Sequence, residues 1–230
     1  MSHFDLDEVN IYLHLLGVPR KHDNDRQADI ADAILRVVGG EGIAALTMER
    51  LGRELGITSG ALFRHFPSRA AMLNEAAHRA VALLEATFPP ATLAPLERLR
   101  LFVETRTRLA AEHAGIPQLV FSEQFGKAMP PKGARALRGI VLRTRDFLVD
   151  ALREAEARDE VRRDIPAEEL AATVIGVMFA RTLLASVTGA GHGPAAEVGP
   201  TWRSLLALLG PPAPAPGRQG CQPLSGSDQG

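Results

Sequence analysis

Residues 57–66, ITSGALFRHF, mix two chemistries within ten positions. Ile57, Leu62, Phe63 and Phe66 suit a buried helix; Thr58, Ser59, Arg64 and His65 do not. Leu62 and Phe66, four apart, can share an inward face, which leaves Thr58, Ser59, Gly60 and Arg64 to look outward. A glycine near a helix start costs about 1 kcal/mol relative to alanine. That cost makes sense where a side chain would collide with a base or a sugar. Thr47, Thr58 and Ser68 each precede an apolar-patterned run and are of the type that caps a helix N-terminus. Two short capped helices joined at Gly56 describe a helix-turn-helix, whose second helix enters the DNA major groove with its N-terminal residues toward base edges. Backbone N–H groups at such helix starts hold phosphates, aided by the helix dipole. Arg69 adds a cation in the same zone.

Spacing alone does not separate a DNA reader from an ordinary packing unit, because short helix pairs with glycine turns are common in all-α proteins. Local charge does not separate them either: from Arg26 to Ala80 there are seven arginines against six acids, a balance of +1. Arg20, Lys21 and His22 precede the unit, and Arg36, Arg50 and Arg53 read as a solvated face. Thr47 caps its helix whether or not it also touches DNA, and His65 has a plain reading as a solvated histidine.

Other chemistries find little support. The sequence holds no phosphate loop, no HExxH, no G-x-S-x-G and no Cys/His nucleophile pair, so no enzyme is expected. Glu112, His113 and Glu123 are candidate metal ligands without tight His/Cys spacing, so no metal and no cofactor are expected. The single cysteine, Cys221, builds no intramolecular disulfide. No run approaches the ~20 apolar residues of a membrane span, and the acidic start, Asp5, Asp7 and Glu8, is unlike a secretory signal. The formal charge of -1 leaves any anion binding to local placement. A cytoplasmic protein is expected.

The elements that must position these residues are helices. Of the 230 residues, 46% are hydrophobic and only 5% aromatic, with Ala and Leu abundant. Residues 1–25 read as a flexible arm. Ile30, Ile34, Val37 and Val38 form one stripe, ended by GGEG at 39–42. Short helices follow Thr47 and Thr58, and a longer one runs from Ser68 toward FPP at 88–90. Further helices are expected at 96–114, around 118–127, at 134–158, 167–187 and 200–209, with Gly115 and Pro117 as a break. The tail 211–230 reads as disordered. The division is therefore a helix-turn-helix unit at 26–88 and a larger helical domain at 95–210, all-α throughout.

The stretch IADAILRVVGGEGIAALTMERLGRELGITSGALFRHFPSRAAMLNEA, roughly 28–77, closely resembles the N-terminal DNA-binding domain of the TetR/AcrR family of bacterial repressors. The resemblance rests on A-x-x-L, the G-x-x-A-L-T-M entry, a short helix ending in L-G, and G-A-L-F-R-H-F followed by P-S-R. It implies that Thr47 and Arg69 contact phosphates, that Thr58, Ser59, Gly60 and Leu62 face the groove, and that His65 makes a further backbone contact. Position 63 is usually Tyr in that family; Phe63 can pack but cannot make the hydroxyl bond to phosphate.

The resemblance also implies a homodimer and an effector pocket among the helices at 96–187. Candidate walls are Phe102, Phe121, Phe125, Phe147, Met178 and Phe179, with Arg106, Gln118 and Gln124 as polar contacts. Phe and Met at helical spacing are as readily plain core. An apolar pocket suggests a lipophilic or aromatic effector. The helix at 167–187 is apolar nearly all round and must be covered on every side. Paired with 134–158 from each chain, it suggests a two-fold four-helix bundle. The expectation is a ligand-responsive DNA-binding regulator, a repressor in the family's manner, acting on a near-palindromic operator. The competing expectation is a dimeric small-molecule sensor or scaffold of the same fold that does not bind DNA.

Overall fold

The computed structural model describes residues 21–188 and 198–211. Most of the expected arm, residues 1–20, and the expected tail from 212 onward lie outside the described residues. Among the described residues the structure is helical, with no strand. Helix α1 spans Lys21–Glu41 and leads through a 3-10 turn, Ile43–Ala45, to α2, Met48–Leu55. Then come α3, Ser59–His65, and α4, Arg69–Glu85. The rest comprises α5 (Pro95–Glu112), α6 (Gly115–Phe121), α7 (Glu123–Ala128), α8 (Pro131–Ala157), α9 (Ala167–Thr188) and α10 (Val198–Leu209).

Several ends differ from the sequence expectation. Helix α1 begins at Lys21, so Lys21–Asp25 belong to a helix rather than to the arm. Helices α5 and α8 open on Pro95 and Pro131, because proline at the first helical position gives up an N–H that has no partner anyway. The expected break at Gly115 and Pro117 is the opening turn of α6, where Pro117 again costs no hydrogen bond. Ser122, in extended conformation, then separates α6 from α7, so the single helix expected at 118–127 is two.

The expected stripe of α1, Ile30, Ile34, Val37 and Val38, is buried. It joins Leu46, Leu51, Leu62 and Met72 in a first core. That core continues past residues 89–94 into Ile116 and Leu119 of α6 and Leu137 and Ile140 of α8. A second core gathers Leu99 and Phe102 of α5, Leu148 and Leu152 of α8, Val174 of α9, and Leu205 and Leu209 of α10. Helix α8, with 27 residues, is about 40 Å long at 1.5 Å per residue. It packs along α4, α5 and α9 and takes part in both cores. Each fully buried Leu, Ile or Phe contributes about 1.5–3 kcal/mol.

That burial changes the expected bundle. The apolar side of α8 is used inside its own chain: Leu137, Ile140, Leu148, Ala151 and Leu152 are buried, and only Val141 and Leu142 among its large apolar residues are exposed. The large apolar side chains left exposed toward the C-terminus lie on α9, with Leu184 and Val187, and on α10, with Leu206 and Leu208.

Candidate nucleic-acid interface and effector cavity

Helices α2 and α3 are held by a turn with little slack. Gly56 closes α2 in the left-handed region at φ 66°, and the Ile57 N–H donates to the Gly52 carbonyl at 3.0 Å. A Cβ at Gly52 would stand 2.8 Å from the Ile57 carbonyl oxygen, so that position requires glycine for α2 and the turn to cross. Three hydroxyls cap as expected: Thr47 accepts from the Arg50 N–H at 3.0 Å, Thr58 from Ala61 at 3.2 Å and Ser68 from Ala71 at 3.2 Å.

Leu62 and Phe66 fix the inward side of α3 and are buried against Leu51, Leu46 and Met72. Leu62 is fully buried, so the expectation that it faces a groove is corrected. Its packing beside Gly52 is what holds α3 in place. The outward side carries Thr58, Gly60, Phe63, Arg64 and His65, all exposed, with Ser59 half-buried. Phe63 does not pack; it is 54% exposed, an apolar ring held toward solvent on a polar face. The Gly60 position is open: the nearest atom to a Cβ built there is Thr58 Oγ1, 4.0 Å away.

Charges behind this face are neutralised. Arg50 bonds Glu41 at 2.6 Å and Glu54 at 3.0 Å, and Arg36 reaches Glu54 at 3.3 Å. Hydrogen bonds from these arginines hold both carboxyls below the usual carboxylate range. Arg79 clasps Asp32 with two 2.8 Å bonds, tying α4 to α1. Arg64 and Arg69 make no ion pair among the described residues. Arg69 Nη2 instead donates to the Ile43 carbonyl, which fixes the guanidinium at the start of α4 beside the helix-turn-helix.

A cavity of about 810 Å³, counting space continuous with solvent, opens between α5, α6, α8 and α9. Of the candidate wall and contact residues, Phe102, Arg106, Phe121, Met178 and Phe179 line this cavity. Phe147 does not: it stacks behind the wall, 4.9 Å from the Phe102 ring and 5.4 Å from Phe88. The side chain of Phe125 lies outside the described residues, and Gln118 and Gln124 are not on the wall. Sequence reasoning missed Ile116, Val120, Ile140 and Thr144. Of these, Ile140 and Thr144 carried a faint signal, a threonine one turn along from an apolar stripe residue. Among the described residues the one charged side chain of the lining is Arg106, and three threonines, 107, 144 and 182, are the other polar ones. Arg106 is nine-tenths buried. It donates to Thr144 Oγ1 at 3.1 Å and lies over the Phe102 and Phe88 rings at 4.9 and 5.3 Å. Burial pushes its pKa down to about 10, with no carboxylate to offset it.

Among the described residues no three His, Cys, Asp or Glu side chains gather as a metal site requires, and Glu112, His113 and Glu123 form no such group. No described helix is long and apolar enough to cross a membrane.

Residues 30–76 match the model of bacterial regulatory proteins of the tetR family. The nucleoid occlusion factor SlmA of Haemophilus ducreyi is 33% identical over 61 residues, 26% of this chain and 30% of that protein. The likeness to it thus spans under a third of its length. The ketosteroid transcriptional regulator KstR2 of Mycobacterium tuberculosis superposes with a TM-score of 0.67 at 19% identity, over 80% of this chain and 95% of that one. AibR, solved with isovaleryl coenzyme A and operator DNA, gives 0.66 at 15% identity, over 82% and 100% of the two chains. The TetR-family regulator PfmR of Thermus thermophilus gives 0.62 at 22%, over 78% and 95%. At these identities the structures establish a shared fold.

Proposed function

We propose that this protein is a ligand-responsive transcriptional repressor, a reading supported by the match of residues 30–76 to the model of bacterial regulatory proteins of the tetR family and by a fold shared with solved regulators. It binds a near-palindromic operator as a homodimer in the cytoplasm. One observation carries the DNA reading. Helix α3 is locked from behind by Leu62 and Phe66 and holds Thr58, Gly60, Phe63, Arg64 and His65 to solvent. In this reading Thr58, Ser59 and Gly60 approach base edges, and the exposed Phe63 ring suits a thymine methyl group. Thr47 and Arg69 meet phosphates, and His65 adds a backbone contact. The Arg69–Ile43 bond supports this, because a guanidinium fixed at one edge keeps its other donors aimed.

The homodimer rests on the exposed apolar residues of α9 and α10, which replace the α8–α9 pairing expected from sequence. A two-fold axis there sets two copies of α3 about 34 Å apart, the spacing of half-sites one helical turn apart. The cavity is the effector site. A ligand that favours one spacing of the two α3 helices shifts DNA affinity by its differential affinity for the two arrangements. A neighbour in fold solved with both an acyl coenzyme A and operator DNA lends support to a ligand response.

The test is selection of genomic fragments by the purified full-length protein at near-physiological salt. Recovery of a near-palindrome confirms the regulator and names its targets. Recovery of nothing above background, with no salt-sensitive DNA affinity, overturns the DNA reading in favour of a dimeric sensor of the same fold.

A further inference from the structure

The cavity contains a charge that the protein itself does not balance. Arg106 is nine-tenths buried, and no acid pairs with it among the described residues. Of its five N–H donors, one bond is made, to Thr144, and Nε has no partner at all. The other buried arginine, Arg98, also leaves Nε without a partner, but it has a counter-ion: its Nη2 donates to Glu154. A buried cation without a counter-ion is a standing cost that evolution normally removes by pairing or by replacement with an apolar residue.

The environment of Arg106 indicates which direction is left open. The Phe102 and Phe88 rings lie against the guanidinium, at 4.9 and 5.3 Å from its central carbon. The cation thus sits over the faces of two rings, which attract its charge but offer no carboxylate. Its N–H donors lie in the guanidinium plane, along the edge, where a carboxylate docks with two parallel bonds. The remaining wall is apolar apart from three threonines: Leu109, Ile116, Val120, Ile140, Met178 and Phe179 surround the space. A single cation in an otherwise uncharged, apolar cavity matches a single negative charge on an apolar body.

We propose that the effector is a monocarboxylic acid with an aliphatic or arylalkyl body, whose carboxylate pairs with Arg106 while its body fills the space between α5, α6, α8 and α9. This rests on reading the cavity as the effector site. The lowered pKa of Arg106 still leaves it charged at neutral pH, so the pair forms between two ions.

The test is calorimetric binding of octanoate, decanoate and 4-phenylbutanoate to the full chain, each beside its methyl ester, without DNA. The acids should bind at least about tenfold more tightly than their esters, the scale of a charge-assisted hydrogen bond. Arg106→Met, close in volume and uncharged, should lose that preference while the esters bind as before. Its melting temperature without ligand should hold or rise, since an unpaired buried charge has gone. Equal binding of acids and esters to the native protein overturns the proposal, as does a preference that survives Arg106→Met. Failure of all three acids at roughly millimolar concentration does so too, and a lower melting temperature in Arg106→Met would assign that residue to the fold. A protein that binds the acids but no DNA loses the regulatory reading and keeps this one; one that binds an operator but does not tell acid from ester does the reverse.

Discussion

At Gly60 nothing in the protein opposes a side chain. A Cβ there would come no nearer than 4.0 Å to any neighbour, at Thr58 Oγ1. Gly60→Ala should therefore stabilise α3, by up to about 1 kcal/mol, and raise the melting temperature by about 2–4 °C. If the reason for glycine is the close approach of DNA, the same variant binds operator more weakly. A more stable protein with unimpaired operator affinity would remove Gly60 from the interface. Arg69 is the complementary case. Anchored on the Ile43 carbonyl, its charge is, on the proposed reading, one that serves a phosphate and reads no base. Arg69→Ala should weaken binding to specific and random DNA alike and lower the slope of log affinity against log salt by about 1. An unchanged slope in a titration from low to moderate salt would show that no phosphate is lost. Leu62 marks the limit of reasoning by family position: it lies among groove-facing residues in sequence, yet it is sealed inside the core.

Helix α6 is one of the elements through which the cavity meets the helix-turn-helix unit, beside α4, whose Leu84 lies on the wall itself. Helix α6 lends Ile116, Pro117, Val120 and Phe121 to the cavity wall. Its first residue meets α1 backbone to backbone: a Cβ at Gly115 would stand 2.1 Å from the Leu35 carbonyl oxygen, and one at Gly39 would stand 2.5 Å from the Gly115 nitrogen. A ligand that shifts α6 must shift α1 with it, and α1 packs on α2 and α4. Gly115→Ala should push α6 off α1. The expected result is a lower melting temperature, and an operator affinity that no longer responds to a ligand the variant still binds. A variant that keeps the native ligand response would rule out this route. Gly115 also shows what the sequence hides. Its neighbours suggested a helix break, because what demands glycine there is a carbonyl some eighty positions earlier in the chain. The stripe of α1 was legible from its own helical spacing, and the caps Thr47, Thr58 and Ser68 because their partners lie three residues on. Phe102 and Phe147 looked alike in sequence; only the packing of three rings decides that one lines the cavity and the other backs it.

For the whole molecule, the proposed dimer would determine whether two weak DNA contacts become one useful one. A seven-residue α3 offers few contacts to one half-site, and phosphate contacts dominate what a single unit can supply. Joining two units makes the second contact intramolecular, so affinity and preference for a palindrome rise together. The face proposed for joining them is unusually apolar for a free surface: Leu184 is 61% and Val187 76% exposed on α9, and α10 adds Leu206 and Leu208. A closed two-fold contact buries the same residues from both chains. Leu184→Glu combined with Val187→Glu should therefore repel across the axis and give a monomer by light scattering, with unchanged helix content, since neither residue belongs to a core. Operator binding should fall by orders of magnitude. Carboxylate binding should persist, because neither Leu184 nor Val187 is among the residues that line the cavity. A double variant that remains dimeric would place the interface elsewhere. A monomer that still binds the full operator at native affinity would mean that one copy of α3 suffices, and the predicted palindrome would lose its reason.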